Sequence, residues 1–261
     1  MKQGAQPRGG AAQSLPALGR LTLAAALIAA IAGSAAAGPI VVYQCGFEAG
    51  EAGDVGQYYQ TGPLDGQDGW VADEDAVVQD ALACAGTQAL LMTANGPMVP
   101  DGMLVAEQTF DNPLPRHLVT VSQDVNISHD WQATWVIALM AGGDVQHTVA
   151  FDWLGGIFVD YVDTGHTWTA GACVPLVMAI DFQTGIADVS YDGTLISSAA
   201  ISGTSSLGTD RIVILTDNYS DGTDSTMVYD DLLIQAIPEP ATMVLLGLGL
   251  LGIVVRRTRS T

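Results

Sequence analysis

Residues 178–198 set the kind of fold open to this chain. Met178-Ala179-Ile180-Asp181-Phe182 is followed by Gln183-Thr184-Gly185, Ile186-Ala187-Asp188-Val189-Ser190-Tyr191, Asp192-Gly193 and Thr194-Leu195-Ile196. Apolar residues recur with the period of two that turns one face of a strand toward a core, and Asp-Gly supplies the positive φ of a tight hairpin. The segment therefore predicts consecutive antiparallel strands. Similar short runs predict strands near 40–43, 76–79, 88–92, 104–110, 117–127, 134–140, 147–153, 157–161, 174–182, 211–216 and 226–235, with 54–69 as a long loop. Between 38 and 236 no helix-length stretch is amphipathic, and no internal repeat is visible. A dozen or more short strands joined by turns predict an all-β fold, an antiparallel jelly-roll β-sandwich of concanavalin-like type.

The two ends follow other rules. Residues 1–37 begin with Lys2, Arg8 and Arg20 and no acid, continue through an apolar run over 21–31, and finish in Ala35-Ala36-Ala37. That is the layout of a secretory signal peptide, with Ala35 and Ala37 as the small residues at the cleavage site. Secretion machinery and signal peptidase are its expected partners. At the other end, residues 237–261 hold Pro238-Glu239-Pro240, an apolar run over 241–255, and Arg256, Arg257 and Arg259. A helix over 241–255 would rise about 22 Å at about 1.5 Å per residue, short of the roughly 30 Å hydrocarbon core. Gly247, Gly249 and Gly252 weaken it further as a permanent span, so a short transmembrane helix retained only transiently is expected.

Removing these ends leaves 38–236 as a single domain. The chain has 23 Asp and 5 Glu, and 27 of these acids lie in the domain with only Arg116 and Arg211 to oppose them. Such a surface excludes nucleic acid and anionic membrane as general partners and suits a saline exterior or divalent cations. Cys45, Cys84 and Cys173 allow one disulfide and leave one thiol over. Cys84 and Cys173, both in small-residue surroundings, are the candidate pair, and export makes the bridge chemically permissible.

Phe47-Glu48, then Leu64-Asp65-Gly66-Gln67-Asp68-Gly69-Trp70, then Gly86-Thr87-Gln88-Ala89-Leu90 resemble the opening of laminin-G-like, or concanavalin-like, secreted domains. Val189-Ser190-Tyr191-Asp192-Gly193 and Val228-Tyr229-Asp230-Asp231-Leu232-Leu233-Ile234 resemble their closing strands. The resemblance implies the jelly-roll fold, on which lectins, hydrolases and structural modules all occur. The tail resembles the PEP-CTERM sorting signal of Gram-negative bacteria. That resemblance implies export, transient inner-membrane retention and processing by an exosortase-type membrane protease. Pro238, Glu239 and Pro240 form the motif, Arg256 and Arg257 its cytoplasmic flank, and the cell surface or extracellular matrix is the destination.

Catalytic patterns are sparse. Jelly-roll glycosidases that retain configuration use a Glu-x-Asp-x-x-Glu strand, whereas the domain has only Glu48, Glu51, Glu74 and Glu107 and none in that pattern. An Asp pair on separate strands stays open. His117, His129, His147 and His166 lack metal-ligand spacing, and the serines lack a nucleophile-elbow context. Asp217, Asn218, Asp221 and Asp224 crowd hard oxygens into one Gly-containing loop and are the candidate calcium ligands. Trp131, Trp168, Tyr58 and Tyr59 flank polar turns and are the candidate platforms for stacking on sugar rings. Trp135 and Trp153 lie in strand patterns and are assigned to the core. The expected function is an exported, non-catalytic surface or exopolysaccharide-matrix protein that binds glycan or calcium. A polysaccharide-active enzyme and a purely structural adhesion module are the alternatives. Cleavage after Ala37 predicts a mature chain starting at Gly38; N-terminal sequencing that finds a start upstream of Ser34 would contradict it.

Overall fold

Strand periodicity decides the architecture. The computed structural model describes residues 39–49, 59–94, 103–109, 118–128, 133–201, 209–218 and 225–237. The first strands are β1 (Ile40–Cys45), β2 (Gly62–Pro63), β3 (Val71–Ala72), β4 (Ala76–Gln79), β5 (Ala89–Ala94), β6 (Met103–Thr109), β7 (Leu118–Ile127) and β8 (Ala133–Ala141). They continue as β9 (Asp144–Phe151), β10 (Gly156–Val159), β11 (Val162–Thr167), β12 (Val174–Asp181), β13 (Ile186–Tyr191), β14 (Thr194–Ala200), β15 (Arg211–Asn218) and β16 (Ser225–Ile237). The one helical element among the described residues is a single 3-10 turn, Gln67–Gly69.

Two antiparallel sheets result. One runs β14-β13-β12-β7-β16-β5-β4-β2 and carries β1 on β16; the other runs β11-β10-β9-β8-β15-β6-β3. Alternation then places Val119, Val121 and Val125 of β7, Leu176, Met178 and Ile180 of β12, Trp135, Ile137 and Leu139 of β8, and Ile212 and Ile214 of β15 in one buried cluster. Each such side chain stabilises the fold by roughly 1.5–3 kcal/mol relative to exposure. The hairpin predicted at Asp192-Gly193 is present, with both residues at positive φ, 51° and 69°.

β16 joins the parts of its sheet. Its first half, Ser225 to Tyr229, pairs with β5; its second half, Leu232 to Ala236, pairs with β1; and β7 runs along the other side of both. The register breaks between Asp230 and Leu233, where β5 gives way to β1. At the break Asp231 takes a φ of 50°, and the Asp230 carboxylate, fully buried, accepts the amides of Cys84 at 2.9 Å and Ala85 at 2.8 Å. Cys84 is in turn bonded to Cys173. A link between residues 89 positions apart restricts the unfolded chain, an effect worth roughly 4–5 kcal/mol in the chain-entropy view. The third cysteine, Cys45, is buried at the end of β1.

Two further carboxylates fasten the same region. Glu48 accepts the Thr87 amide and hydroxyl, both at 2.6 Å, and the Gln88 amide at 3.1 Å. Burial alone would raise its pKa, but these bonds outweigh it and hold the carboxyl below its usual value. Glycine suits position 86: its φ is +58°, and a Cβ would run into the Glu48 carboxylate, which its three hydrogen bonds hold in place. Asp68, also at positive φ, accepts the Tyr43 and Tyr59 hydroxyls at 3.0 and 3.1 Å, while the Trp70 indole donates to both phenol oxygens. Burial pushes both phenols far above the usual range, so they act as neutral donors.

Some sequence expectations change. β11 was not predicted, because Val162-Asp163-Thr164-Gly165-His166-Thr167 is an edge strand whose residues are exposed or half-buried and carry no apolar alternation. The stretch 54–69, predicted as loop throughout, contains β2 and the 3-10 turn. β16 runs to Ile237, one residue beyond the expected domain boundary. The signal-peptide residues Ala35 and Ala37, and the tail residues Pro238, Glu239, Pro240, Arg256 and Arg257, lie outside the described residues. No helix among the described residues is long and apolar enough to cross a membrane.

Burial pushes the Asp230 carboxyl up to about 6, against the backbone hydrogen bonds that lower it. Its unfolded value is about 3.9, so the contribution to stability is full below that pH and is lost as pH rises through about 6. The other carboxylate oxygen accepts the Asp231 amide at 2.9 Å, so Asp230→Asn keeps an oxygen for Cys84 and Ala85, gives up the Asp231 bond at every pH and removes the charge. Relative to the parent, the variant is expected to gain on the order of 1–3 kcal/mol between pH 4 and pH 7, read from denaturant unfolding at each pH. A variant with the parent's pH profile would refute this.

Candidate functional site at the end of the sandwich

The described candidates Asp217, Asn218 and Trp168 lie at one end of the sandwich. β7 finishes at Ile127 beside Met227 of β16, β12 starts at Val174 opposite Val125, and β15 finishes at Asn218 opposite Ala133. The connections that carry Trp131, Trp168, Asp221 and Asp224 all leave strands at this end. Trp131, Asp221, Asp224 and Tyr58 themselves lie outside the described residues. Asp217 and Asn218 are not loop residues as expected: they are the last two residues of β15, paired by backbone with Thr134 and Ala133. No group of three or more His, Cys, Asp or Glu side chains placed to hold a metal exists among the described residues.

The best-defined part of this end is the turn between β9 and β10. Asp152 closes it through its amide to the Gly156 carbonyl at 2.8 Å, and its carboxylate accepts the Leu154 amide at 2.5 Å. Gly155 completes the turn at a φ of 95° and donates to the Asp152 carbonyl. Trp168, just past β11, donates its indole N–H to that carbonyl at 2.9 Å and its amide to the Gly155 carbonyl at 3.0 Å. The half-buried Trp168 ring packs on the core, so it braces the turn and is a less open platform than the sequence suggested. The ring presented to solvent is Trp153, 40% exposed, beside the exposed Leu154. Trp153 corrects the sequence assignment to the core: the strand ends at Phe151, and Trp153 belongs to the turn.

The segment after Trp168 is equally fixed. The Thr169 amide donates to the Tyr191 hydroxyl at 3.2 Å, and the Gly171 amide donates to the Ile127 carbonyl at 2.8 Å. Cys173 then anchors it to Cys84. An exposed aromatic on a turn held from behind loses little entropy on binding, and such a ring can stack on the apolar face of a sugar.

Tyr59 is a second correction. It is 1% exposed and its hydroxyl lies 2.9 Å from that of Tyr43, inside the core network with Asp68 and Trp70. An isolated parallel bridge to Ala49 brings the chain into the core at this residue.

A second concave feature lies on the outer face of the sheet that contains β16. It is an open groove of about 400 Å³ bordered by Gln44, Glu48, Ser122, Asp124, Asp231 and Leu233. Burial first, and then the charge of Asp231, push the Asp124 carboxyl up. Asp124 and Asp231 stand on neighbouring strands, an arrangement that spacing along the chain could not reveal.

Residues 236–260 match the PEP-CTERM protein-sorting motif, which implies export and processing at a membrane. The match begins inside β16. No curated protein matches the chain by sequence. In structure the sandwich is similar to a sialidase, at a TM-score of 0.53 and 12% identity over 67% of this chain and 17% of that one. It is also similar to a carbohydrate esterase from a Shiga toxin-encoding bacteriophage, at 0.52 and 13% over 77% of this chain and 100% of the other. A botulinum neurotoxin of type C, whose cell entry depends on interaction with two ganglioside molecules, gives 0.51 and 9% over 80% of this chain and 51% of the toxin chain. The chain thus spans about a sixth of the sialidase and half of the toxin chain. At these identities the likeness shows the fold alone: the protein is an antiparallel β-sandwich with a sorting motif at its end.

The two tryptophans divide the labour in a way that mutation separates. Trp168→Ala removes a half-buried ring and the brace on the turn, and should cost roughly 2 kcal/mol, below the 3–5 kcal/mol of a fully buried ring. Trp153→Ala should cost less than about 1 kcal/mol. Equal losses in thermal or denaturant unfolding would contradict these roles.

Proposed function

We propose that the protein is an exported, non-catalytic component of the cell surface or exopolysaccharide matrix that binds polysaccharide at the end of its sandwich. The carrying observation is Trp153, exposed on a turn that Trp168, Asp152 and Gly155 hold in place. The sorting motif supports the destination, with an exosortase-type protease as the processing partner. Carbohydrate recurs among the similar structures, as the class acted on by the esterase and as the gangliosides bound by the toxin. The acidic domain favours neutral glycans, or acidic ones bridged by cations, over polyanions bound directly.

A second reading rests on the groove. There Asp124, with its carboxyl pushed up, stands by Asp231, and a raised acid beside a carboxylate is the pattern of glycoside hydrolysis. Both readings are tested on residues 38–237 with a glycan panel, with and without calcium. Binding should appear without turnover, quench tryptophan fluorescence, and fall at least tenfold in Trp153→Ala while Asp124→Asn leaves it unchanged. Turnover that Asp124→Asn abolishes would replace the first reading with the second.

A further inference from the structure

The end of the sandwich opposite Trp153 is where the chain leaves for its tail. Ile40 of β1 pairs with Ala236, Leu118 of β7 with Ile237, Asp181 of β12 with Leu118, and Ile186 of β13 with Asp181. The first strand therefore begins, and the last ends, at the same edge. This end exposes Ile40 at 57%, Val41 at 50% and Ile186 at 38%. Arg211, at the start of β15, lies at this end and pairs with Glu107 at 3.1 Å. Asp144, exposed opposite Ala141, is here as well, together with Asp181 and Asp210, whose carboxylates accept turn amides from Gln183 and Thr184 and from Gly142 respectively.

Chain length then sets the reach. Pro238, Glu239 and Pro240 alone separate Ile237 from the apolar run that starts at Ala241, a tether of at most roughly 14 Å when extended. The polar layer on each side of a bilayer is itself roughly 5–8 Å thick. With the apolar run in a membrane, little open water is left between the headgroups and the strand ends.

We propose that this end of the sandwich rests on the phospholipid headgroups before the tail is cut, with Ile40, Val41 and Ile186 as its apolar contact. The inference rests on the membrane reading of the tail. It turns the Trp153 end outward, about 33 Å away for a ten-residue strand.

The test uses the mature chain, residues 38–261, with vesicles of phosphatidylethanolamine and phosphatidylglycerol that carry an acceptor dye on the headgroup. A donor dye is attached at Thr184→Cys, in the turn between β12 and β13, or at Leu154→Cys, beside Trp153. The protein should float with the vesicles, energy transfer from position 184 should exceed that from position 154 by at least threefold, and Ile40→Asp with Val41→Asp should lower it while flotation persists. Flotation with equal transfer from the two positions, or with transfer unmoved by the aspartates, would overturn the docking. Failure to float would overturn both the docking and the membrane reading of the tail.

Discussion

The fold depends on how β16 is held. One strand cannot pair over its full length with both β5 and β1 on the same side unless the two meet end to end, and at that junction a backbone carrying no side-chain anchor would leave amides buried without acceptors. Asp230 supplies the anchor by accepting Cys84 and Ala85. A buried carboxylate is costly, and the upward push on its pKa is the sign of that cost. The return is that the loop before β5, the disulfide to Cys173 and the register break in β16 become one unit. Glu48 extends it from the other side through Thr87 and Gln88.

This arrangement explains why the short motifs occur together. Phe47-Glu48 and Gly86-Thr87-Gln88 are distant in sequence but form a carboxylate and its amides; Tyr229-Asp230 meets the same loop; Asp68 and Trp70 bind Tyr43 and Tyr59. Their conspicuous acids hold the sandwich together. The conspicuous aromatics divide the same way, since Tyr59 belongs to the core network and Trp153 to the surface.

Much of the fold was legible because strand period and turn chemistry are local. The pair Gln183-Thr184-Gly185 and Asp192-Gly193 placed β12, β13 and β14 almost to the residue. β11 was not legible, because an edge strand facing solvent needs no apolar alternation. Trp153 is not legible for a related reason: Ala150-Phe151-Asp152-Trp153 continues the strand alternation, and only the Asp152 turn, braced by a bond from Trp168 sixteen residues later, ends it. The meeting of Asp124 with Asp231 depends on the pairing of β7 with β16, which sequence periodicity does not specify.

The two ends of the sandwich consequently present different surfaces. One gathers the first and last strands and leads to the sorting motif; the other presents Trp153 on a braced turn. The most direct measurement is amide hydrogen exchange on residues 38–237 with and without the exopolysaccharide of the producing cell. Protection should concentrate in residues 152–156 and 168–173, with the strand ends around Ile40 and Ile237 unchanged. Protection confined to the groove around Asp124 and Asp231, or to the tail-bearing end, would contradict the assignment of polysaccharide binding to the Trp153 end.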